Sequence, residues 1–421
     1  MDPRKFINSL FETAVAAAQP SQCVPPFLSK FNFSARTVVF GAGKASAEMA
    51  RVVEQHITGK LEGLVITRYG HAVECQQIEI VEAGHPVPDN NGMKAASKML
   101  EIASGLTEQD NVLCLISGGG SSLLSLPAPG LQLEEKQEIT SKLLKCGATI
   151  HEINCVRKHL SAIKGGRLAV ACAPARLVTL AISDVPGDDL SVIASGPTVA
   201  DSSTFHDALN VLNKYYISEP KSVLKHLNDA ADETPEPGDP RLKNVENYLI
   251  ATPQQSLHAA AQTVSESGMT PLILGDSLEG ESREAAKMHA EKALQIQQNG
   301  TPVSPPAVIL SGGETSVTVH GSGRGGPNTE FMLSLLQELR GQKGIWAIAC
   351  DTDGIDGTED NAGAFISPES FKKSKEIDLN PSTYLSNNDS YSFFSELGGL
   401  VSPGPTKTNV NDFRAVLVLP A

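Results

Sequence analysis

Basic side chains are in short supply in this sequence. Lys and Arg number 34 against 48 Asp and Glu, a formal net charge of −14 over 421 residues. A general nucleic-acid or anionic-membrane binder needs a basic surface, so neither nucleic acid nor membrane is an expected partner. Phosphate binding stays open, because a few cations and backbone N–H groups suffice for it. Long apolar runs are also missing, and none reaches the roughly 18 residues that span a bilayer. The opening stretch MDPRKFINSLFETAVAAAQP places Phe6, Leu10, Phe11, Ala14 and Val15 at helical spacing. That pattern predicts an amphipathic helix rather than a secretory leader, and a cytoplasmic location. The seven cysteines (Cys23, Cys75, Cys114, Cys146, Cys155, Cys172 and Cys350) form no Cys-x-x-Cys pair. An odd, scattered set reads as reduced thiols acting as small buried hydrophobes.

Several catalytic signatures are missing too. There is no G-x-x-x-x-G-K-[ST] loop, no G-x-S-x-G elbow, no H-E-x-x-H and no Cys/His zinc spacing. What is present is alternation. Short β-branched runs at 37–40, 63–67, 112–116, 177–182, 247–250, 271–274, 307–310, 345–349 and 414–419 alternate with Ala-rich helical stretches. The alternation predicts an α/β chain of parallel sheets with helices on both faces. The length favours two domains. The acidic, Pro-rich stretch ADETPEPGDP at 231–240 is the expected boundary, giving domains 1–235 and 241–421.

Chemistry-bearing residues follow the ends of predicted strands, where open α/β sheets bind ligands. Ser117, Gly118, Gly119, Gly120, Ser121 and Ser122 make a Gly-rich turn suited to backbone contact with an anion, or else an ordinary strand–helix turn. Lys44 in Gly41-Ala42-Gly43-Lys44 stands at a helix start, where a cation opposes the helix dipole unless an anion is near. Asp184, Asp188 and Asp189 fit either a cation or hydroxyl-orienting site or a turn with Asx caps. The segment from Asp351 through Asp353 to Asp356 has the same two readings; Ala362 at its twelfth position rules out an EF-hand. Arg157, Lys158, His159, Lys164 and Arg167 form a basic cluster that either neutralises polyphosphate or makes a solvated helix face. His85 lies in a Pro-flanked loop, where a structural role is the commoner one.

At these residues the chain resembles the class II glycerate kinases, the MOFRL family. The matching segments are VVFGAGKASAEMA (38–50), GHPVPD (84–89), LISGGGSSLL (115–124), INCVRKHLSAIKGGRLA (153–169), ISDVPGDDLSVIASGPTVAD (182–201), LSGGETSVTVHGSG (310–323), DTDGIDGTEDNAGA (351–364) and GPTKTNVNDFR (404–414). The resemblance implies a larger N-terminal α/β/α Rossmann-like domain, a smaller C-terminal α/β domain and a cleft between them. It implies phosphoryl transfer from ATP, with Mg²⁺, to the 2-hydroxyl of D-glycerate. A hydroxypyruvate reductase and a non-catalytic metabolite sensor are the alternatives. The expected catalytic residues are Lys44, Asp188, Asp353 and Arg324, with Asp188 preferred as base and Asp353 the alternative. The nucleotide would meet the Ser117–Ser122 loop, Glu314 and Asn409, and the cation Asp184 and Asp356. A homodimer is compatible with the sequence, which does not determine oligomeric state. Two positions depart from the family pattern. Pro327 follows Gly325-Gly326 where Arg is usual, leaving Arg324 as the nearby guanidinium, and Lys407 stands where Gly is commoner.

Overall fold

A computed structural model describes residues 2–33 and 35–421. The chain is an α/β protein of two compact units, each built on a six-stranded sheet. The first unit is Pro20–Ile250; the second joins the residues up to Gln19 with Ala251–Ala421. The stretch 231–240 therefore lies inside the first unit rather than at its end. It is followed by the strand Val245–Ala251, which completes the first sheet.

In the first sheet the strands are β1 (Thr37–Ala42), β2 (Leu61–Arg68), β3 (Glu79–Ala83), β4 (Asn111–Ile116), β5 (Arg176–Ile182) and β6 (Val245–Ala251), in the order β3-β2-β1-β4-β5-β6. The registers from β3 across to β5 are parallel. β1 and β4 are buried at nearly every position, as strands covered on both faces must be. Phe40, Leu64, Ile66, Val112, Cys114 and Ile116 form the core against Ala96, Met99 and Leu123. Since β1 leads out to β2 on one side and β4 lies on the other, the strand order reverses between β1 and β4. That is the crevice where such sheets bind ligands. The helices Leu133–Lys145, Ile150–His159, Phe205–Lys214 and Lys221–Asp229 pack into a separate apolar cluster through Ile139, Leu143, Val156, Phe205, Leu212 and Leu227.

The second sheet is mixed. Its strands are β7 (Thr270–Gly275), β8 (Ala307–Ser311), β9 (Ile345–Asp351), β10 (Gly363–Ile366), β11 (Leu400–Val401) and β12 (Asp412–Val418), in the order β11-β10-β9-β12-β8-β7. β12 runs antiparallel to both β8 and β9. The carboxyl ends of β8 and β9 and the start of β12 therefore share one edge. The N-terminal helix Pro3–Ala17, capped by the Asp2 carboxylate, lays Ile7, Leu10, Phe11 and Ala14 against Leu257, Val308, Ile348 and Phe413 of this unit. Its assignment to the first domain is thus corrected: the apolar stripe was legible, but not the sheet it covers. None of the described helices is long and apolar enough to cross a membrane.

Candidate functional site

At the switch point of the first sheet, two loops are tied together by their backbones. The turn after β1 donates from Lys44 N to Gly118 O (2.8 Å), and Ser117 N donates to Ala42 O (3.2 Å). Ser117 is fully buried; its Oγ accepts from Ala45 N and meets Ser46 Oγ, both at 3.0 Å. The Ser117 hydroxyl thus joins the two loops. Only glycine at 43 permits the approach, since a Cβ there would stand 2.0 Å from Ser117 Oγ.

Gly119 is left-handed (φ 79°), and a Cβ on it would lie 2.9 Å from the His85 ring and 3.4 Å from Lys44 Cγ. Lys44, Gly119 and His85 therefore make one contiguous surface, so His85 lies beside the loop. The helix after this loop is only the four residues Gly120–Leu123, so the expected helix-dipole contribution is small. Gly120 packs too closely on Ala42 O and Ala194 for any side chain, with a Cβ falling 2.8 Å from each. Ser122 Oγ donates back to Gly119 O (3.0 Å). Ser121 Oγ meets Ser195 Oγ (2.8 Å), which in turn donates to Asn154 Oδ1 (2.9 Å).

The segment after β5 carries strain toward the same loop. Asp188, Ala194 and Ser195 all have positive φ (57°, 52° and 60°) without being glycine, a conformation that persists where the surroundings impose it. Asp189 is an Asx cap, accepting from Ser191 N at 2.8 Å, so the turn reading holds for that carboxylate. Asp184 and Asp188 are half-buried.

The basic cluster divides. Lys158 pairs with buried Asp201 (3.2 Å), Arg167 pairs with Asp232, and His159 Nε2 bonds Glu233 (2.9 Å). Arg157 and Lys164 instead line a cavity of about 590 Å³ beside the loop, together with His85, Gly119, Ser121, Ser122 and Lys136. One face of the helix Leu133–Lys145 forms its wall through Leu133, Lys136, Gln137, Thr140, Ser141 and Leu144. Lys136 was missed in the sequence; a Lys at i+3 from Leu133 on that stripe was the available signal. Burial, with the neighbouring Arg157 charge, pushes the Lys136 ammonium down to about 7. Burial, then Lys136 and Arg157, holds Lys164 well below its usual range.

In the second unit, Glu314, Asp353 and Asn409 sit on the shared sheet edge, each in a loop adjoining β8, β9 or β12. Asp353 and Asn409 are buried and Glu314 is exposed. Asp353 Oδ1 accepts from Ile355 N (2.8 Å). Asp356, expected to bind a cation, is fully engaged elsewhere: it accepts from Asn328 N (2.9 Å), Thr329 N (2.8 Å) and Thr329 Oγ1 (2.8 Å). It thus closes the start of the helix Pro327–Leu339, and burial raises its carboxyl to about 6. Among the described residues no three His, Cys, Asp or Glu side chains form a metal cluster. Arg324 is exposed, paired with Glu359 and stacked 4.2 Å over Tyr391, so its guanidinium already has partners. Pro327 is the first residue of its helix, where a missing N–H costs nothing. Lys407 has φ 66°, which is why glycine suits that position better.

Residues 6–228 match the family model described as a domain of unknown function, DUF4147, and 307–412 match the MOFRL family. A protein of Agrobacterium vitis carrying the provisional name hydroxypyruvate reductase is 51% identical over 99% of this chain and 94% of its own length. The D-glycerate 2-kinase of Thermotoga maritima is 42% identical, over 99% of this chain and 98% of its own. The crystal structure of a Thermotoga maritima glycerate kinase superposes with a TM-score of 0.91, covering 99% of both chains at 42% identity. With both family models matched in order and the fold shared from end to end, the chain belongs to the MOFRL/DUF4147 glycerate kinase family.

Proposed function

We propose that this protein is an ATP-dependent kinase that phosphorylates the 2-hydroxyl of D-glycerate, giving 2-phosphoglycerate and ADP in the cytoplasm. The observation that carries the reading is the surface made by Lys44, Gly119 and His85 where the first sheet reverses its strand order. Phosphoryl transfer asks for positioning and charge neutralisation rather than a covalent nucleophile. Lys44 supplies a cation there, and Asp188, aimed by its strained turn, is the group to orient the attacking hydroxyl and take its proton. Asp353 is the alternative base. The loop suits a polyphosphate, because its glycines keep Cβ atoms out of the approach and buried cations stand beside it. When bound, ATP supplies the phosphoryl group. Glu314 and Asn409 remain nucleotide contacts in this proposal, and no step is assigned to a protein-held Mg²⁺.

The hydroxypyruvate reductase name of a 51% identical relative supports a second reading. Against it, the turn after β1 reads Gly41-Ala42-Gly43-Lys44-Ala45-Ser46, with serine in place of the third glycine of a dinucleotide loop. Product analysis of ATP with D-glycerate tests the kinase reading. Wild type should form 2-phosphoglycerate and ADP in equal amounts, and Lys44→Ala should be slower by roughly 10²-fold or more. A phosphate on another oxygen, or near wild-type turnover in Lys44→Ala, would contradict it.

A further inference from the structure

Buried charges are normally paired, because removing an ion from water costs several kcal/mol. Lys136 and Lys164 break that rule, with half-buried Arg157 beside them. Lys136 is 8% exposed and Lys164 2% exposed. None of the three has a carboxylate partner among the described residues. Lys136 Nζ donates to Leu126 O (3.2 Å), and Lys164 Nζ to Ser121 O (2.7 Å). Arg157 makes neither hydrogen bond nor ion pair among the described residues, although its chain neighbour Lys158 is neutralised by Asp201. All three line one cavity, and no Asp or Glu lines it with them. Three basic side chains around an acid-free space, the two lysines with their protonated forms disfavoured by burial and by their basic neighbours, form an arrangement that a bound anion would complete.

We propose that this cavity holds the polyphosphate of the nucleotide, with Arg157 and Lys136 on its phosphate oxygens and Lys164 bracing the loop through Ser121. A single carboxylate offers two oxygens to this set of donors, whereas a di- or triphosphate has oxygens and charge enough for Arg157 and Lys136 together and favours the protonated lysine. The apolar part of the wall, Pro86, Val87, Pro88, Leu133 and Leu144, suits a base rather than a second charged group. The cavity's size is in the range of small-molecule sites. This inference rests on the kinase reading only for the identity of the nucleotide.

The test is calorimetric titration of the intact chain with ADP, inorganic tripolyphosphate and adenosine, for wild type, Arg157→Met and Lys136→Met. Both variants should bind ADP and tripolyphosphate roughly 10- to 100-fold more weakly, as loss of a charge-assisted contact predicts. Adenosine binding should be unchanged. Melting temperature should hold or rise, since an unmatched buried cation has been removed. Wild-type affinity for both phosphates in both variants would overturn the proposal. So would weaker binding of adenosine by the same factor, or weaker binding only in step with a lower melting temperature. Tripolyphosphate binding that depends on these residues, without ADP binding, would assign the cavity to a free polyphosphate and overturn the nucleotide assignment. Binding is read without turnover, so a wild type that binds ADP here yet makes no phosphoglycerate would sink the kinase reading and leave the site standing.

Discussion

At the residue scale the site depends on two unusual backbone positions. Gly119→Val would push a branched side chain into the His85 ring from a left-handed backbone. The variant should lose about 1–2 kcal/mol of stability to that strain and bind nucleotide at least about tenfold more weakly; unchanged affinity by calorimetry would place the phosphates elsewhere. Asp188→Asn keeps the side-chain shape and removes the base. Turnover at saturating ATP should fall roughly 10²- to 10⁴-fold with the melting temperature little changed. If Asp188→Asn is fully active and Asp353→Asn is not, the base is Asp353. Residue types told much of this in advance, and chain neighbours told less. Lys44 stood out because a cation at a helix start needs an explanation. The fates of Lys158 and Arg167 depended on Asp201 and Asp232, which lie 43 and 65 positions away in the chain.

At the element scale, nine strands were legible from apolar, β-branched runs, and three were not. β3 is an edge strand with exposed Glu79, β10 is buried but only four residues long (Gly-Ala-Phe-Ile), and β11 has only two, so none makes a β-branched apolar run in the sequence. The helix Ser282–Asn299 carries His289, fully buried, with Nδ1 facing Ala285 O (2.7 Å) and Nε2 facing Ser311 Oγ (2.8 Å) on β8. Burial pushes this imidazole down to about 4. A depressed folded value means its contribution is complete above the ordinary value near 6.5 and is lost as pH falls through about 4. Asp356, raised to about 6, runs in the opposite sense over much the same window. Comparing wild type with His289→Asn cancels that term. The gap in melting temperature should be widest at pH 7 and shrink toward pH 4; a constant gap would mean His289 is not held neutral by its burial.

At the scale of the whole molecule, the α/β class and the two units were legible, because strand–helix alternation is a local signal. The division of the chain was less so. A Pro-rich acidic stretch looks like a linker wherever it occurs, yet 231–240 runs within the first unit and leads into β6. The N-terminal helix shows its apolar stripe in sequence, but its partner strands begin some 290 residues later. The function has the same character: the loops identify the family, while the reaction depends on what the family's members do with the same crevice. One paired assay on the wild-type protein decides this most directly. ADP release with ATP and D-glycerate is measured beside NADH and NADPH consumption with hydroxypyruvate. The account predicts stoichiometric ADP release and no nicotinamide oxidation; oxidation of either nicotinamide without ATP turnover would contradict it.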